Sequence, residues 1–370
     1  MAGLHIVSDN PWIIHGYNFG NIFSPVKQLA PYFDCKKNDT IHYLVTLTWT
    51  VLLPHRIENL ARYYRKHIKK YPRQKITFLA NETAELELLH KYDLPAILCN
   101  HNAFLDENRY TIRNEKKIYS AVTNSRMAPY KRIELARDVK DCCLITYFLD
   151  PEDLEYEKRI YGSHEKGKNC PMPFMKFPQY ENGHYVHYFS IDKINEIYGQ
   201  SRCGLILSAE EGGCFASLEY LLCGLPVVTT PNIGGRDEFF DKDYVVWAEP
   251  APEAVAEAVE KAISLPISAE EIRRRTLEKV KKHRENYMQL LNDIAREEGV
   301  DRDFRKEWDN FFINKMFTNM SEQEAVAMLQ ARGLHTRYSL LHRLHNGHKA
   351  FKLWLKGLEW KLARRKSEKD

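Results

Sequence analysis

Short apolar runs separated by amphipathic segments recur along this 370-residue chain, and that alternation most limits what it can fold into. IHYLVTLTW, KITFLA and LPAILCN have the length and composition of strands. Between them, HRIENLARYYRKHIKKY and ETAELELLHKY carry apolar residues at helical spacing. Strands joined by helices run parallel and need cover on both faces, so the pattern predicts an α/β fold. After Asn114 a second series begins, with strands KKIYSAV, CCLITYFL, GLILS and LPVVTT and helices KRIELARDV, IDKINEIYGQ, ASLEYLLCG and EAVAEAVEKAI. The N-terminal stretch reads as a short strand, a loop holding Gly16 and Gly20, and a helix interrupted near Pro31. A loop of about 35 residues runs from Pro151 to Tyr188, a length that is uncommon without a functional reason. Ser268 with Glu271, and Ser321 with Glu324, have the capping-box spacing that opens a helix, the first of them continuing through Ala295. The expected organisation is two α/β units, residues 1–114 and 115–267, followed by a helical extension over 268–370.

A hydrophobic content of 44% is enough to fill two cores. The net charge of +4 does not point to nucleic acid. Ten Lys/Arg against three Asp/Glu lie between His335 and Asp370, so that tail holds about +7 and the rest is slightly acidic. Its leucines, Phe351, Trp354 and Trp360 suit either a basic amphipathic helix on an anionic membrane surface or packing against the first unit. The eight cysteines form no Cys-x-x-Cys pair and several sit in apolar runs, so buried free thiols are expected rather than disulfides or zinc. The N-terminus has no signal-peptide pattern, and no window reaches the roughly 18 apolar residues of a spanning helix. A cytoplasmic protein is expected, touching a membrane only at its inner face.

In SAEEGGCFASLEYLL, Glu211 falls in the loop leaving a strand and Glu219 in the helix that follows. In a parallel sheet that loop lies at the carboxyl edge, where free helix N–H groups receive anions. Gly212 and Gly213 would let a phosphate approach the backbone, with Cys214 and Phe215 adding N–H groups, while Glu219 could accept hydrogen bonds from ribose hydroxyls. Taken alone, the pattern is equally that of a glycine turn before a core helix. Ser125-Arg126-Met127-Ala128-Pro129-Tyr130-Lys131 places two cations at the start of a segment read as helix, where they oppose the helix dipole unless an anion is bound.

These motifs resemble the C-terminal domain of GT-B glycosyltransferases, most closely glycosyltransferase family 4. Arg126 to Lys131 is similar to the family's Arg-x4-Lys clamp, Glu211 to Glu219 to its Glu-x7-Glu pattern, and GLPVVTTPNIGGRDEFF to its strand and Gly-Gly loop. The resemblance implies two Rossmann-like domains facing across a cleft, with a C-terminal helical extension crossing back to the first. It implies that Arg126 and Lys131 hold the donor diphosphate, Glu219 the ribose, and Glu211 with the backbone from Gly212 to Phe215 the sugar and phosphates. Gly16 would lie in a glycine loop facing the diphosphate, and His101, with Asn102 and Asp106 nearby, would sit near the donor sugar. Glu238 would brace structure. The implied reaction moves a sugar from a nucleotide-diphosphate sugar to a glycan or lipid-linked acceptor, with retention, as in polysaccharide or lipopolysaccharide synthesis. No other cofactor and no metal are expected, although Asp241/Asp243 and Asp301/Asp303 form Asp-x-Asp triplets. The alternatives are an inverting transferase with His15 as base, a sugar-nucleotide epimerase, and a catalytically inactive GT-B protein that partners an enzyme.

Overall fold

The computed structural model describes residues 3–17, 24–33, 39–161, 175–176, 180–181, 184–185, 189–311 and 320–334. The elements of the first unit are β1 (Gly3–Asp9), β2 (Trp12–Tyr17), α1 (Ser24–Phe33), β3 (Ile41–Thr46), α2 (Pro54–Lys70), β4 (Gln74–Ala80), α3 (Thr83–Lys91) and β5 (Ala96–Leu98). The second unit contains β6 (Tyr119–Arg126), β7 (Cys142–Tyr147), α4 (Pro151–Tyr161), β8 (Met175–Lys176), β9 (Tyr180–Glu181), β10 (His184–Tyr185), α5 (Ile191–Gln200) and β11 (Ser201–Ile206). It continues with α6 (Phe215–Leu222), β12 (Val227–Thr229), β13 (Val245–Trp247) and α7 (Pro252–Ile263). Then follow α8 (Ala269–Glu297), α9 (Trp308–Phe311), β14 (Met320–Ser321) and α10 (Glu322–Ala331).

Two six-stranded sheets result, ordered β14-β1-β2-β3-β4-β5 and β13-β12-β11-β6-β7-β8. The second is parallel throughout, as the strand–helix alternation predicts. The first is parallel from β2 to β5 and antiparallel where β1 meets β2 and β14. Several boundaries differ from expectation. Gly16 lies inside β2, paired with Leu4 and Val45, instead of in a loop, and Gly20 lies outside the described residues. Helix α1 runs past Pro31 to Phe33, because a proline in the last turn costs few helical bonds. Helix α4 occupies the first part of the segment expected to be an irregular loop. The basic tail falls outside the described residues.

Each sheet is covered on both faces. Helix α2 starts with Pro54 at its first turn and buries Ile57, Leu60 and Ala61, the two larger side chains contributing about 1.5–3 kcal/mol each. That stripe, with α1, α3 and α10, closes one face of the first sheet over Tyr43, Val45 and Phe78. On the other face, Ile13, Leu44 and Leu79 meet Tyr287, Leu291 and Ile294 of α8. Helix α8 is capped by Ser268, whose hydroxyl accepts from the Glu271 N–H. Its early turns pack Ile272 and Val280 into the second unit's core, so this one 29-residue helix runs from one unit to the other. Its length of about 1.5 Å per residue is what makes that span feasible. The residues after it return to the first unit as β14 and α10, so the extension supplies a strand as well as helices. The Ser321–Glu324 capping box is complete.

Candidate active site

In the second sheet the chain runs from β6 outward to β7 and β8, then returns to place β11 on the opposite side of β6. That reversal opens a crevice beyond the carboxyl ends of β6 and β11, the place where open α/β sheets receive ligands. Arg126 is the last residue of β6, Lys131 closes a 3-10 turn over Pro129–Lys131, and Glu211 follows β11. The segment KRIELARDV is not the expected α-helix. It forms two 3-10 turns separated by Arg132 at φ 50°. The Arg132 guanidinium donates to Leu207 O, Ser208 O, Thr230 Oγ1 and Pro231 O, so tertiary bonds at the ends of β11 and β12 override the helical pattern. The two cations therefore oppose no helix dipole; they project from a strand end and a turn.

Lys131 pairs with Glu211, their side chains 10% and 9% exposed. Burial works against the lysine charge, but the Glu211 carboxylate and then Cys214, Tyr130 and Tyr147 outweigh it, holding the ammonium protonated well above the usual range. Arg126 donates from Nε to both oxygens of buried Asp153, at 3.0 and 2.9 Å, and from Nη2 to Asp150 at 2.6 Å. Asp150 is 60% exposed, so it is the partner a diphosphate can most easily displace. Asp153 stands in the first turn of α4 and also accepts the Leu149 N–H at 2.7 Å. Proline at the first turn followed by acids, PEDLEYEKRIY, is a helix-start signal that would have revealed this arginine support.

Glu219 lies in α6 and is 8% exposed. Its Oε2 accepts the Tyr198 hydroxyl at 2.7 Å and the Asn124 amide at 3.5 Å. Burial pushes its carboxyl upward, opposed by hydrogen bonds from Tyr198, Tyr110 and Asn124.

The glycine loop is packed differently from the sequence expectation. A Cβ on Gly212 would lie 2.5 Å from Thr48 O, and one on Gly213 would lie 2.8 Å from the His101 ring. Gly212 admits the backbone of Thr48 and Gly213 the side chains of His101 and Asn100, all from the first unit. Gly234 has φ 115°, and a Cβ there would meet Glu211 O at 1.7 Å, so no other residue fits. His101 is thus brought onto the loop, its ring 4.9 Å from that of Phe215. Burial pushes its imidazole down to about 4, partly opposed by the backbone of Gly213 and Leu47, so the ring is neutral at pH 7. Its Nδ1 is buried without a hydrogen-bond partner. Asn102, buried next to it, donates to Cys214 O at 2.7 Å, and Asp106 is buried just beyond.

Other candidates stand elsewhere. His15 is fully buried between Thr46 Oγ1 at 2.7 Å and Tyr287 Oη at 2.9 Å, which removes it from service as a base. Gly16, next to it, is held in the first sheet. Glu210 pairs with Arg56 of α2 across the cleft. Glu238 lies 3.3 Å from His283 of α8, a bracing contact. Asp241 and Asp243 pair with Lys279 and Arg275, and Asp303 lies 3.7 Å from Lys306. Among the described residues no group of three or more His, Cys, Asp or Glu side chains is placed to hold a metal, and six cysteines are buried thiols outside any disulfide. No described helix is long and apolar enough to cross a membrane.

The first-unit wall of the cleft is tied by Glu85, which accepts from Val51 N–H at 3.0 Å and Asn81 N–H at 2.7 Å. Burial pushes its pKa from 4.5 to about 7 against those hydrogen bonds. The folded chain therefore holds a proton that the unfolded chain releases, and this group's stabilisation, full below pH 4.5, is lost as pH rises through 7. Stability of wild type relative to Glu85→Gln should fall by roughly 2–3 kcal/mol between pH 5 and 8 in urea denaturation. Parallel pH profiles for the two proteins would refute it.

Two parallel-sheet domains meeting at a cleft of this kind define the GT-B glycosyltransferase fold, and solved glycosyltransferase structures superpose on the chain. Anabaena Alr3699/HepE in complex with UDP-glucose aligns with TM-score 0.54 and 13% identity, covering 75% of this chain and 78% of that one. TarM aligns with TM-score 0.50 and 16% identity, covering 72% of this chain and 53% of TarM. Residues 173–283 match the family described as glycosyl transferases group 1, a segment that includes Glu211 and Glu219. Over 70 residues the chain is 44% identical to a component of the phosphatidylinositol N-acetylglucosaminyltransferase of Arabidopsis thaliana. That match spans 18% of this chain and 15% of the relative.

Proposed function

We propose that this chain is a glycosyltransferase that moves a sugar from a nucleoside-diphosphate sugar to a glycan or lipid-linked acceptor. The observation that carries this reading is the buried Lys131–Glu211 pair beside Arg126 at the crevice between β6 and β11. A diphosphate entering there meets a fixed ammonium and a guanidinium whose outer partner, Asp150, is exposed. Both charges stand where negative charge grows on the leaving group, and preorganised charge of this kind is usually the largest catalytic term. They carry the diphosphate without a divalent metal. Glu219, fixed by Tyr198, offers its remaining lone pairs to ribose hydroxyls. Neutral His101 is suited to hydrogen-bond the transferred sugar, not to act as a cation.

Retention, which the family resemblance implies, belongs to this reading; His15, the base of the inverting alternative, has both ring nitrogens engaged in the core. In a retaining transfer the departing phosphate oxygen can take the acceptor proton on the same face. The assignment to family 4, an acceptor on the inner membrane face and contact with an anionic surface through residues 335–370 belong to the same reading. UDP-linked sugars come first for testing, since relatives bind UDP-glucose or are named for N-acetylglucosamine transfer.

A thermal-shift screen of nucleoside diphosphates and nucleotide sugars tests this reading. One or more should stabilise the wild type. Glu219→Ala should weaken that ligand by about 10–100-fold, the range for losing hydrogen bonds to a charged group. No shift with any nucleotide, or equal shifts in both proteins, would count against the site.

A further inference from the structure

The turn that ends β5, Asn100-His101-Asn102, reaches across the cleft at three successive residues. Asn100 Nδ2 donates to Gly235 O at 2.7 Å and to Asn81 O at 2.9 Å, so one amide spans both units. Its own backbone N–H donates to His283 Nδ1 of α8 at 3.2 Å. His101 lies on Gly213, and Asn102 Nδ2 donates to Cys214 O at 2.7 Å. The turn is rigid, because Asn102 N–H returns to Asn100 Oδ1 at 2.9 Å and His101 N–H to Asn81 Oδ1 at 3.2 Å. Asn81, Asn100 and Asn102 are 0% exposed and His101 4%.

The Asn102 bond is not needed to satisfy its acceptor. Cys214 O, at the start of α6, already receives the Ser217 N–H at 3.0 Å, while the single Ser217 hydroxyl proton is shared between Cys214 O at 2.7 Å and Arg236 O at 3.0 Å. The carbonyl thus has a donor without Asn102, whose bond adds direction. Asn102 Oδ1 is itself buried without a partner, a cost a purely structural residue would avoid. What the bond fixes is the Cys214–Phe215 peptide plane, which joins the glycine loop to α6.

We propose that Asn102 is a positioning residue: its amide, donated from the first unit to Cys214 O, holds the Gly212–Phe215 loop in the orientation that receives the donor, while Asn100 fixes the neighbouring Gly234–Gly235 loop. Closure of the cleft and assembly of the donor loop then become one event. The donor part of this inference rests on the function proposed above; the tie between the units does not.

The test uses the full chain as wild type, Asn102→Ala and the shape-matched Asn102→Leu, with UDP, ADP and GDP as probes. Cys214 O keeps the Ser217 N–H, so both variants should fold. Backbone hydrogen exchange at residues 212–217 should rise about tenfold or more in both, with β11 and β12 unchanged. The diphosphate that binds wild type should bind each variant about tenfold more weakly, and its turnover at saturating donor should fall less than its affinity. Unchanged exchange at 212–217 in both variants would overturn the tie. Faster exchange with undiminished affinity would overturn the positioning role. If no diphosphate binds wild type, the nucleotide-sugar reading falls and the donor role with it, while exchange still decides the tie.

Discussion

Replacing Lys131 with alanine is expected to lower turnover by about 10²–10³-fold while donor affinity falls by about tenfold or less, the pattern for a group whose interaction strengthens toward the transition state. The ammonium is enclosed with Glu211 in a site that excludes most water, so charge there acts through a low effective dielectric. In the ground state the diphosphate already carries its charge and shares the lysine with Glu211. As the glycosidic bond breaks, the leaving oxygen gains charge, and the lysine's pull on it grows. A structural effect has to be separated from this one, because removing Lys131 leaves a buried carboxylate without its cation, a change that commonly costs 3–5 kcal/mol. The double variant Lys131→Met with Glu211→Gln removes both charges and keeps the volume. Its melting temperature should return toward wild type while its turnover stays low. Recovery of turnover in that double variant would make the pair structural and remove Lys131 from the chemistry.

The fold class was legible because strands at parallel-sheet spacing need no tertiary information to announce themselves: KITFLA is a strand where its composition says, and the first three residues of GLILS end β11. What failed had specific physical causes. KRIELARDV has the apolar spacing of a helix, yet Arg132 takes φ 50° to place its guanidinium on four oxygen acceptors of distant chain. Strand β2 is hidden in the sequence because Gly16 sits inside it, and a glycine normally marks a turn. Strand β13 is three residues long, too short for any period to show. The chemistry-bearing residue types of the crevice were readable, since Arg126, Lys131 and Glu211 do converge there. Of their partners, Asp153 carries a helix-start signal in PEDLEYEKRIY, but Thr48 and His101 meet Gly212 and Gly213 only because two units close on each other, which no local pattern records. A glycine in sequence says that something approaches its backbone; it does not say what.

Arg236→Ala should destabilise the chain by about 3–5 kcal/mol, the range for breaking a buried, fully hydrogen-bonded charge network. Arg236 is fully buried, although a charged residue is rarely so unless paired. Its guanidinium donates to Ser208 Oγ and Thr229 Oγ1, both at 2.9 Å, to Asp237 Oδ1 at 3.0 Å, and to Ser208 O and Thr230 O. Those acceptors lie at the carboxyl ends of β11 and β12, so one side chain fastens the two strands that carry the Glu211 and Gly234 loops. Lysine, a point charge with three donors, cannot span that arc, and Arg236→Lys should recover less than half of the loss. Asp237 supplies a second signature. Burial pushes its carboxyl above 3.8, and Arg236 is the strongest influence holding it down. Without the arginine its pKa rises further, so the folded variant retains a proton that the unfolded chain gives up. Stability then falls as pH rises, and the deficit of Arg236→Ala should be smaller at pH 5 than at pH 8. Urea denaturation at both values measures it. A deficit under about 1 kcal/mol, or one that is equal at the two pH values, would mean that water or a shifted backbone replaces the guanidinium at these acceptors and that the strand ends are held by their own ladders instead.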